Sequence, residues 1–170
     1  MWIETKNKLA KNWKFVIIFL AILAAGIFLR TYKFHDWLRF SVDQSRDAKK
    51  ISAVIDGKKE LPLLGPKANL TSFQLGPAYY YFSFVSAKIL GNAPDKMAYP
   101  SLFFGILTIP LFFLFMREYF EKKTAVFLTA ILSVSYFMVI NSRFSSNPNL
   151  VPFFLLLYLY ALLKILNERG

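Results

Sequence analysis

The sequence predicts an all-α integral membrane protein with four transmembrane helices and a long first extracytoplasmic loop that carries interfacial helices. Of the 170 residues, 56% are hydrophobic, and they are concentrated in uncharged blocks of a length suited to membrane-spanning helices. The formal net charge is +11, and the basic residues flank these blocks instead of forming a separate patch. Orientation in a membrane with anionic headgroups explains that distribution, so we expect membrane lipid, and not nucleic acid, as a partner.

The first predicted span covers residues 13–32. Four lysines precede an uncharged run, residues 15–29, and basic side chains at its ends extend it by snorkelling. A basic segment before a short apolar run is also typical of a signal peptide, but no small-residue cleavage site follows Leu29. We therefore interpret the run as a transmembrane helix with a cytoplasmic N-terminus.

Three further spans are predicted over residues 98–116, 124–142 and 150–166. Segment 73–90 is also apolar, but Gly76-Pro77 interrupts it and Lys88 lies near its end. If this segment crossed the membrane, the chain would have five spans, and the basic turn at 117–123 would lie outside the cytoplasm, against the positive-inside rule. We therefore prefer four spans, with 73–90 embedded in the outer loop, and keep five spans as the alternative.

The four-span topology places loop 33–97 and turn 142–150 on the same, extracytoplasmic side. Within that loop, the spacing predicts an interfacial helix over residues 43–56. Charged residues at i, i+3, i+4 and i+7 share one face, and an apolar stripe occupies a second: Asp43, Arg46, Asp47 and Lys50, then Ala48, Ile51 and Ile55. We expect this helix to lie on the membrane surface with its apolar stripe in lipid. In a plainer alternative, Asp43 caps the helix and Arg46 and Lys50 are solvated.

The sequence contains few residues that could bind a metal and none that could act as a thiol. There is no cysteine and a single histidine, His35, so thiolate catalysis and cysteine-based metal sites are excluded. Asp43 and Asp47 form a sparse ligand set for a divalent cation. We assign no metal ligands and no certain cofactor, and the sequence leaves a need for a divalent metal open.

Four polar motifs follow one another along the predicted outer regions. They are DQSRDA at 43–48, LGPK at 64–67, GPAYYY at 76–81 and SRFSSNPNLVPFF at 142–154. In this order, after a basic N-terminus and one span, they resemble the N-terminal part of the GT-C membrane glycosyltransferases of family 39. That family includes the protein O-mannosyltransferases and the aminoarabinose transferases of lipid A.

The resemblance implies inverting transfer of a sugar from a polyprenyl-phosphate carrier to an acceptor hydroxyl of a glycan, lipid or protein. Members of the family act at the extracytoplasmic face, and we expect the plasma (inner) membrane of a bacterium as the location. They are much longer, so we expect residues 1–170 to be one transmembrane region of an N-terminal fragment, inactive alone. Two departures bear on substrate identity. Asn147 and Asn149 stand where an acidic residue is common, and Gln74-Leu75 replaces a basic residue before the Gly-Pro pair.

Such a reaction needs a base for the incoming hydroxyl and cations for the departing lipid phosphate. Asp43 matches the family's first-loop acidic residue and is expected to be the base, since an aspartate is ionised at neutral pH. Arg46 is expected to bind phosphate because a guanidinium contacts two oxygens at once, with Arg143 and Lys67 as further phosphate ligands. The remaining polar candidates are expected to bind the acceptor or the sugar: Asp47, Asn147 and Asn149.

Each assignment has a structural alternative. Arg143 is alternatively an interfacial anchor, and Asn147-Pro148-Asn149 a turn and helix start. The tyrosines at 79–81 fit an aromatic belt better than a sugar-stacking platform. The competing functional class is a non-enzymatic membrane protein, such as a flippase or transporter subunit or an assembly partner. Charges within the spans would favour a transporter, but the charges here sit beside the helix ends, which favours an interfacial active site.

Overall fold

The computed structural model describes the chain over residues 2–38, 40–67 and 73–168. Within these residues the fold is helical, and strand pairing is limited to one isolated bridge between Lys67 and Gln74. The helices are α1 (Trp2–Thr31), α2 (Val42–Ile55), α3 (Ala78–Leu90), α4 (Pro94–Met116), α5 (Lys122–Val134), α6 (Tyr136–Asn141) and α7 (Val151–Glu168), with a 3₁₀ turn (Asn147–Leu150) before α7. The prediction of an all-α protein is confirmed.

Among the residues that the structure describes, three helical segments are long and apolar enough to cross a membrane: Trp13–Thr31, Pro94–Met116 and Asn147–Asn167. They coincide with three of the four predicted spans, and large apolar side chains are exposed along them. In a water-soluble protein, exposed apolar surface on this scale would be unfavourable, whereas lipid covers it. The protein is therefore a membrane protein. The count of four spans, like the alternative of five, stays a prediction.

The remaining predicted span, 124–142, is divided between two helices. α5 ends at Val134 and α6 begins at Tyr136, because Ser135 between them is extended, with ψ at 122°. Arg30 of α1 reaches this break, where its Nη1 donates a hydrogen bond of 2.7 Å to the carbonyl oxygen of Ser133. Non-helical backbone at membrane depth needs such a partner, since lipid offers no donor. A helix distant in sequence thus supplies the donor for a carbonyl beside the break.

Segment 73–90 is helical only from Ala78 onward, as α3. Its 13 residues span about 20 Å, less than the ~30 Å of a hydrocarbon core, which favours an embedded position over a crossing. Pro100 of α4 has no N–H, so the carbonyl of Lys96 lacks its helical donor, and Ser86 Oγ of α3 donates to it instead. Hydrogen bonding as well as apolar contact therefore holds α3 against the first turns of α4.

α2 begins with a capping box at Ser41. The Ser41 hydroxyl accepts from the backbone N–H of Gln44, and the Gln44 side chain accepts from the backbone N–H of Ser41. The suggestion that Asp43 caps this helix is therefore wrong. Asp43 lies in the first turn, where a carboxylate is favourable beside the helix N-terminus, and its side chain is free for other contacts.

The apolar stripe of α2 packs against protein. Ile51 is buried in a cluster that includes Tyr80 and Met97, and Ala48 and Ile55 pack against the same cluster. The expectation that this stripe lies in lipid is wrong, because α3 and α4 cover it. The helix is thus attached to the core by one face, whereas Asp43 and Arg46 on its charged face stay exposed.

Candidate active site

The charged face of α2 carries a connected ion-pair network. Arg46 Nη1 donates to Asp43 Oδ1 at 2.7 Å, and Arg46 Nε donates to Asp47 Oδ1 at 3.0 Å. The contact between Arg46 and Asp43 follows from helical spacing, which places residues three apart on one side, whereas Arg46 and Asp47 are consecutive residues. The side chain of Asp43 is 78% exposed, whereas that of Asp47 is 6% exposed. One carboxylate of the pair therefore faces solvent and the other faces the protein.

Tyr80 of α3 connects this network to the core. Its side chain is fully buried, and its hydroxyl donates a hydrogen bond of 2.9 Å to Asp47 Oδ1. The same hydroxyl accepts from Lys50 Nζ at 3.4 Å, and that ammonium lies 5.0 Å from the centre of the ring. Burial, together with the negative charge of Asp47, raises the pKa of Tyr80, so its hydroxyl stays protonated and remains a donor.

A pocket of about 290 Å³ opens beside these residues. We call it the basic pocket, and it is lined by Arg46, Lys50, Leu64, Gly65, Pro66, Lys67 and Gln74. Its far wall is a loop that is closed on itself. The backbone N–H of Gly65 donates to the carbonyl of Leu75 at 2.9 Å, and the N–H of Leu75 donates to the carbonyl of Pro66 at 3.0 Å. This pairing brings Lys67 to the pocket wall.

The basic pocket suits an anion. Arg46, Lys50 and Lys67 line it, and the described part of its wall contains no carboxylate. The hydrogen bond to Asp47 raises the pKa of the Arg46 guanidinium, which keeps it charged. Because Nε and Nη1 of Arg46 are used by the two aspartates, its Nη2 is the nitrogen without a hydrogen-bond acceptor in the described part of the chain. A phosphate oxygen is an acceptor of the right charge for that nitrogen.

Arg143 is held elsewhere, at the end of α1. Its Nη1 donates to the carbonyls of Leu29 and Arg30, and its Nη2 donates to those of Tyr32 and Lys33, over 2.8–3.1 Å. All four Nη hydrogens are therefore used by backbone oxygens, two in the last turn of α1 and two in the turn that follows it. Burial lowers the pKa of this guanidinium. The arrangement favours a structural role for Arg143, and the structure does not bring it to the face of α2.

Asn147 and Asn149 also bond to backbone. Asn147 Nδ2 donates to the carbonyl of Gly76 at 3.4 Å, which ties the 3₁₀ turn to the loop before α3. Asn149 Nδ2 donates to the carbonyl of Phe144 at 2.8 Å and lies at the start of the helix that follows. These contacts fit the alternative of a turn and helix start. Binding of acceptor or sugar by these residues stays a prediction.

Sequence reasoning missed the position of Tyr80 and the contribution of Lys50. Lys50 had a signal, because it shares the α2 face with Asp43 and Arg46 at helical spacing. Tyr80 shares a face of α3 with Ser83 and Ala87, and such small residues are typical of close helix packing. For metals, the side chains that the structure describes contain no group of three or more potential ligands.

Comparison with known families adds to this geometry. Residues 74–170, more than half of the chain, match the family model described as dolichyl-phosphate-mannose-protein mannosyltransferase. No curated protein and no solved structure gave a significant match. The match begins at Gln74 on the wall of the basic pocket and includes α3, α4 and all that follows. The chain therefore belongs to the dolichyl-phosphate-mannose-protein mannosyltransferase family, a family of GT-C glycosyltransferases.

Proposed function

We propose that this protein serves the transfer of a sugar from a polyprenyl-phosphate-linked donor to an acceptor hydroxyl, with inversion, at the extracytoplasmic face of the plasma (inner) membrane. The basic pocket beside an exposed aspartate is the observation that carries this proposal. The pocket supplies cations for a lipid phosphate, and Asp43 supplies a proton acceptor next to them. The N-terminus of α1 is cytoplasmic in this proposal, as the four lysines before the first span favour.

Asp43 is the proposed base. One of its oxygens accepts from Arg46, while Oδ2 has no hydrogen-bond donor in the described part of the chain. In the transfer step, Oδ2 takes the proton of the acceptor hydroxyl as that oxygen forms its bond to the anomeric carbon. The bond between the anomeric carbon and the phosphate oxygen breaks on the opposite side, and the electron pair leaves with the lipid phosphate.

Arg46 and Lys67 are the proposed phosphate ligands. Negative charge grows on the leaving phosphate during the step, and cations fixed beside it stabilise that charge more in the transition state than in the ground state. Arg143 is not assigned here, because backbone carbonyls use its four Nη hydrogens. Asp47, Asn147 and Asn149 remain the proposed contacts for acceptor or sugar.

Binding of a short lipid phosphate tests the pocket. The purified chain in nanodiscs is titrated with farnesyl phosphate, and with farnesol as the uncharged control. We expect farnesyl phosphate to bind more tightly than farnesol, and Arg46→Ala to weaken its binding about tenfold. Arg117→Ala removes a cation at the other end of α4 and should leave binding unchanged. Equal affinity for the two probes, or no effect of Arg46→Ala, would overturn the phosphate assignment.

The base is tested by Asp43→Asn in a full-length parent that transfers sugar from dolichyl-phosphate mannose. We expect the transfer rate to fall by about 100-fold or more, since an amide does not accept the proton. Binding of farnesyl phosphate should persist, because Arg46 keeps its bond to Asp47. Transfer at a near wild-type rate would exclude Asp43 as the base.

A further inference from the structure

Tyr80 occupies a position that neither of its predicted uses explains. An aromatic belt and a sugar-stacking platform both require an exposed ring, whereas this side chain is 0% exposed. Its ring packs in the cluster with Ile51 and Met97, and only the hydroxyl reaches polar partners. Tyr81, the next residue, is exposed instead. The sequence GPAYYY therefore contains tyrosines in different environments.

Two cations of the basic pocket depend on the Tyr80 hydroxyl. It donates to Asp47 Oδ1, the same oxygen that accepts from Arg46 Nε, and it accepts from Lys50 Nζ. Asp47 Oδ1 is thus fixed from the core side by the tyrosine and from the pocket side by the arginine. A buried carboxylate with one donor fewer would rotate to find another, and the orientation of Arg46 would change with it.

We propose that Tyr80 is a positioning residue that orients Arg46, through Asp47, and Lys50, directly, toward the anion in the basic pocket. Two flexible side chains on a surface helix lose rotamer freedom when they bind an anion, and this loss weakens binding. The buried hydroxyl restricts both side chains before the ligand arrives. The ring itself is held by the core, so its hydroxyl is a fixed point from which the α2 cations are oriented. The inference rests on the proposed function only in taking phosphate as the anion.

Tyr79 provides a matched control within the same helix. It is also buried, and its hydroxyl makes a 2.7 Å hydrogen bond, but to Ser145 Oγ and not to the charged network. Tyr79→Phe and Tyr80→Phe therefore each keep a buried ring and each remove a buried hydroxyl bond. A merely structural role predicts similar behaviour for the two variants, whereas a positioning role predicts that only Tyr80→Phe affects the cations.

The first measurement needs no ligand. The side-chain ¹⁵Nε–¹Hε resonance of Arg46 reports its hydrogen bond to Asp47, and we follow its shift and hydrogen exchange in the chain in nanodiscs. We expect faster exchange and a shifted resonance in Tyr80→Phe, and wild-type behaviour in Tyr79→Phe. An unchanged Arg46 resonance in Tyr80→Phe would overturn the proposal whatever the pocket binds.

The second measurement is the affinity for farnesyl phosphate. We expect Tyr80→Phe to weaken binding about fivefold and Tyr79→Phe to leave it within about twofold, at matched folded fractions. If Tyr80→Phe unfolds, Asp47→Asn is measured instead, because it removes the charge through which the tyrosine orients Arg46, and unchanged affinity for farnesyl phosphate in that variant would overturn the proposal. Equal losses in the two tyrosine variants would overturn the positioning role. Failure of Arg46→Ala to weaken binding would instead overturn the proposed function.

Discussion

Arg46 and Arg143 are two arginines with opposite kinds of partner. Arg46 donates to two carboxylates, its side chain is about half exposed, and it lines the basic pocket. Arg143 is buried and donates to four backbone carbonyls at the end of α1. An arginine is therefore available to a ligand when its acceptors leave part of the guanidinium N–H groups unused. The residue type and its place near a helix end do not reveal this.

The surroundings of the two arginines also shift their pKa values in opposite directions. The hydrogen bond to Asp47 raises the pKa of Arg46, whereas burial lowers the pKa of Arg143. Both remain cationic at neutral pH, since an arginine titrates far above it. The first charge is balanced by side chains and the second by backbone dipoles, so we expect substitutions to affect binding in one case and folding in the other.

The largest expected effect is on stability, from Arg143→Ala. Four carbonyls, two at the end of α1 and two just after it, would each lose the donor that Arg143 provides, and we expect the free energy of unfolding to fall by about 3 kcal/mol. Arg143→Lys should recover only part of this, because an ammonium has no fork. Denaturant titration in detergent micelles, with Arg46→Ala as the exposed comparison, measures it. A stable Arg143→Ala that fails to bind farnesyl phosphate would mean that Arg143 is a ligand after all.

A titration to high pH tests whether burial stabilises the protonated form of the Tyr79 hydroxyl. Burial raises the pKa of its hydroxyl to about 12, above the ordinary value of ~10 in the unfolded chain. A raised pKa in the folded state contributes stability that is full below pH ~10 and lost as the pH rises through ~12. We expect unfolding to become easier by about 2 kcal/mol between these values, and less so in Tyr79→Phe. Identical pH profiles for the two proteins would contradict this.

Gly65→Ala tests whether the paired backbone at Gly65 and Leu75 places Lys67 beside Arg46. A Cβ at Gly65 would overlap the carbonyl oxygens of Leu75 and Gly76, so the paired loop must open. We expect binding of farnesyl phosphate to weaken about tenfold with little change in the stability of the bundle. Gly76→Ala is the control, because a Cβ there meets open space. Unchanged binding in Gly65→Ala would remove the loop from the site.

The smallest expected effect belongs to Lys67→Ala. Lys67 is exposed and acts through a single charge, so we expect affinity for farnesyl phosphate to fall about threefold at low salt. The difference should shrink as ionic strength rises. Lys59→Ala, an exposed lysine that does not line the pocket, is the matched control. The assignment of Lys67 would be wrong if both variants lost the same affinity.

The helical spacing of charged and apolar residues was sufficient to predict the local structure of α2. It predicted α2 to within a residue at each end and placed Asp43, Arg46 and Asp47 on one face, because helical spacing depends on near neighbours alone. It did not distinguish Tyr80 from Tyr81, because burial of the former depends on how α3 lies against α2 and α4. Periodicity likewise did not show the break at Ser135, beside which Arg30, over 100 residues away in sequence, donates to the carbonyl of Ser133.

The carbonyl oxygen of Met97 in α4 accepts hydrogen bonds from two parts of the chain that are distant in sequence. It accepts from Ser83 of α3 at 3.4 Å and from Ser145 of the turn after α6 at 3.0 Å, and Ser145 in turn contacts the Tyr79 hydroxyl. A displacement of α3 would therefore be transmitted to the turn that carries Asn147 and Asn149. If the donor lipid lies against α3 and the acceptor against that turn, occupancy of one would alter the affinity for the other through these hydrogen bonds.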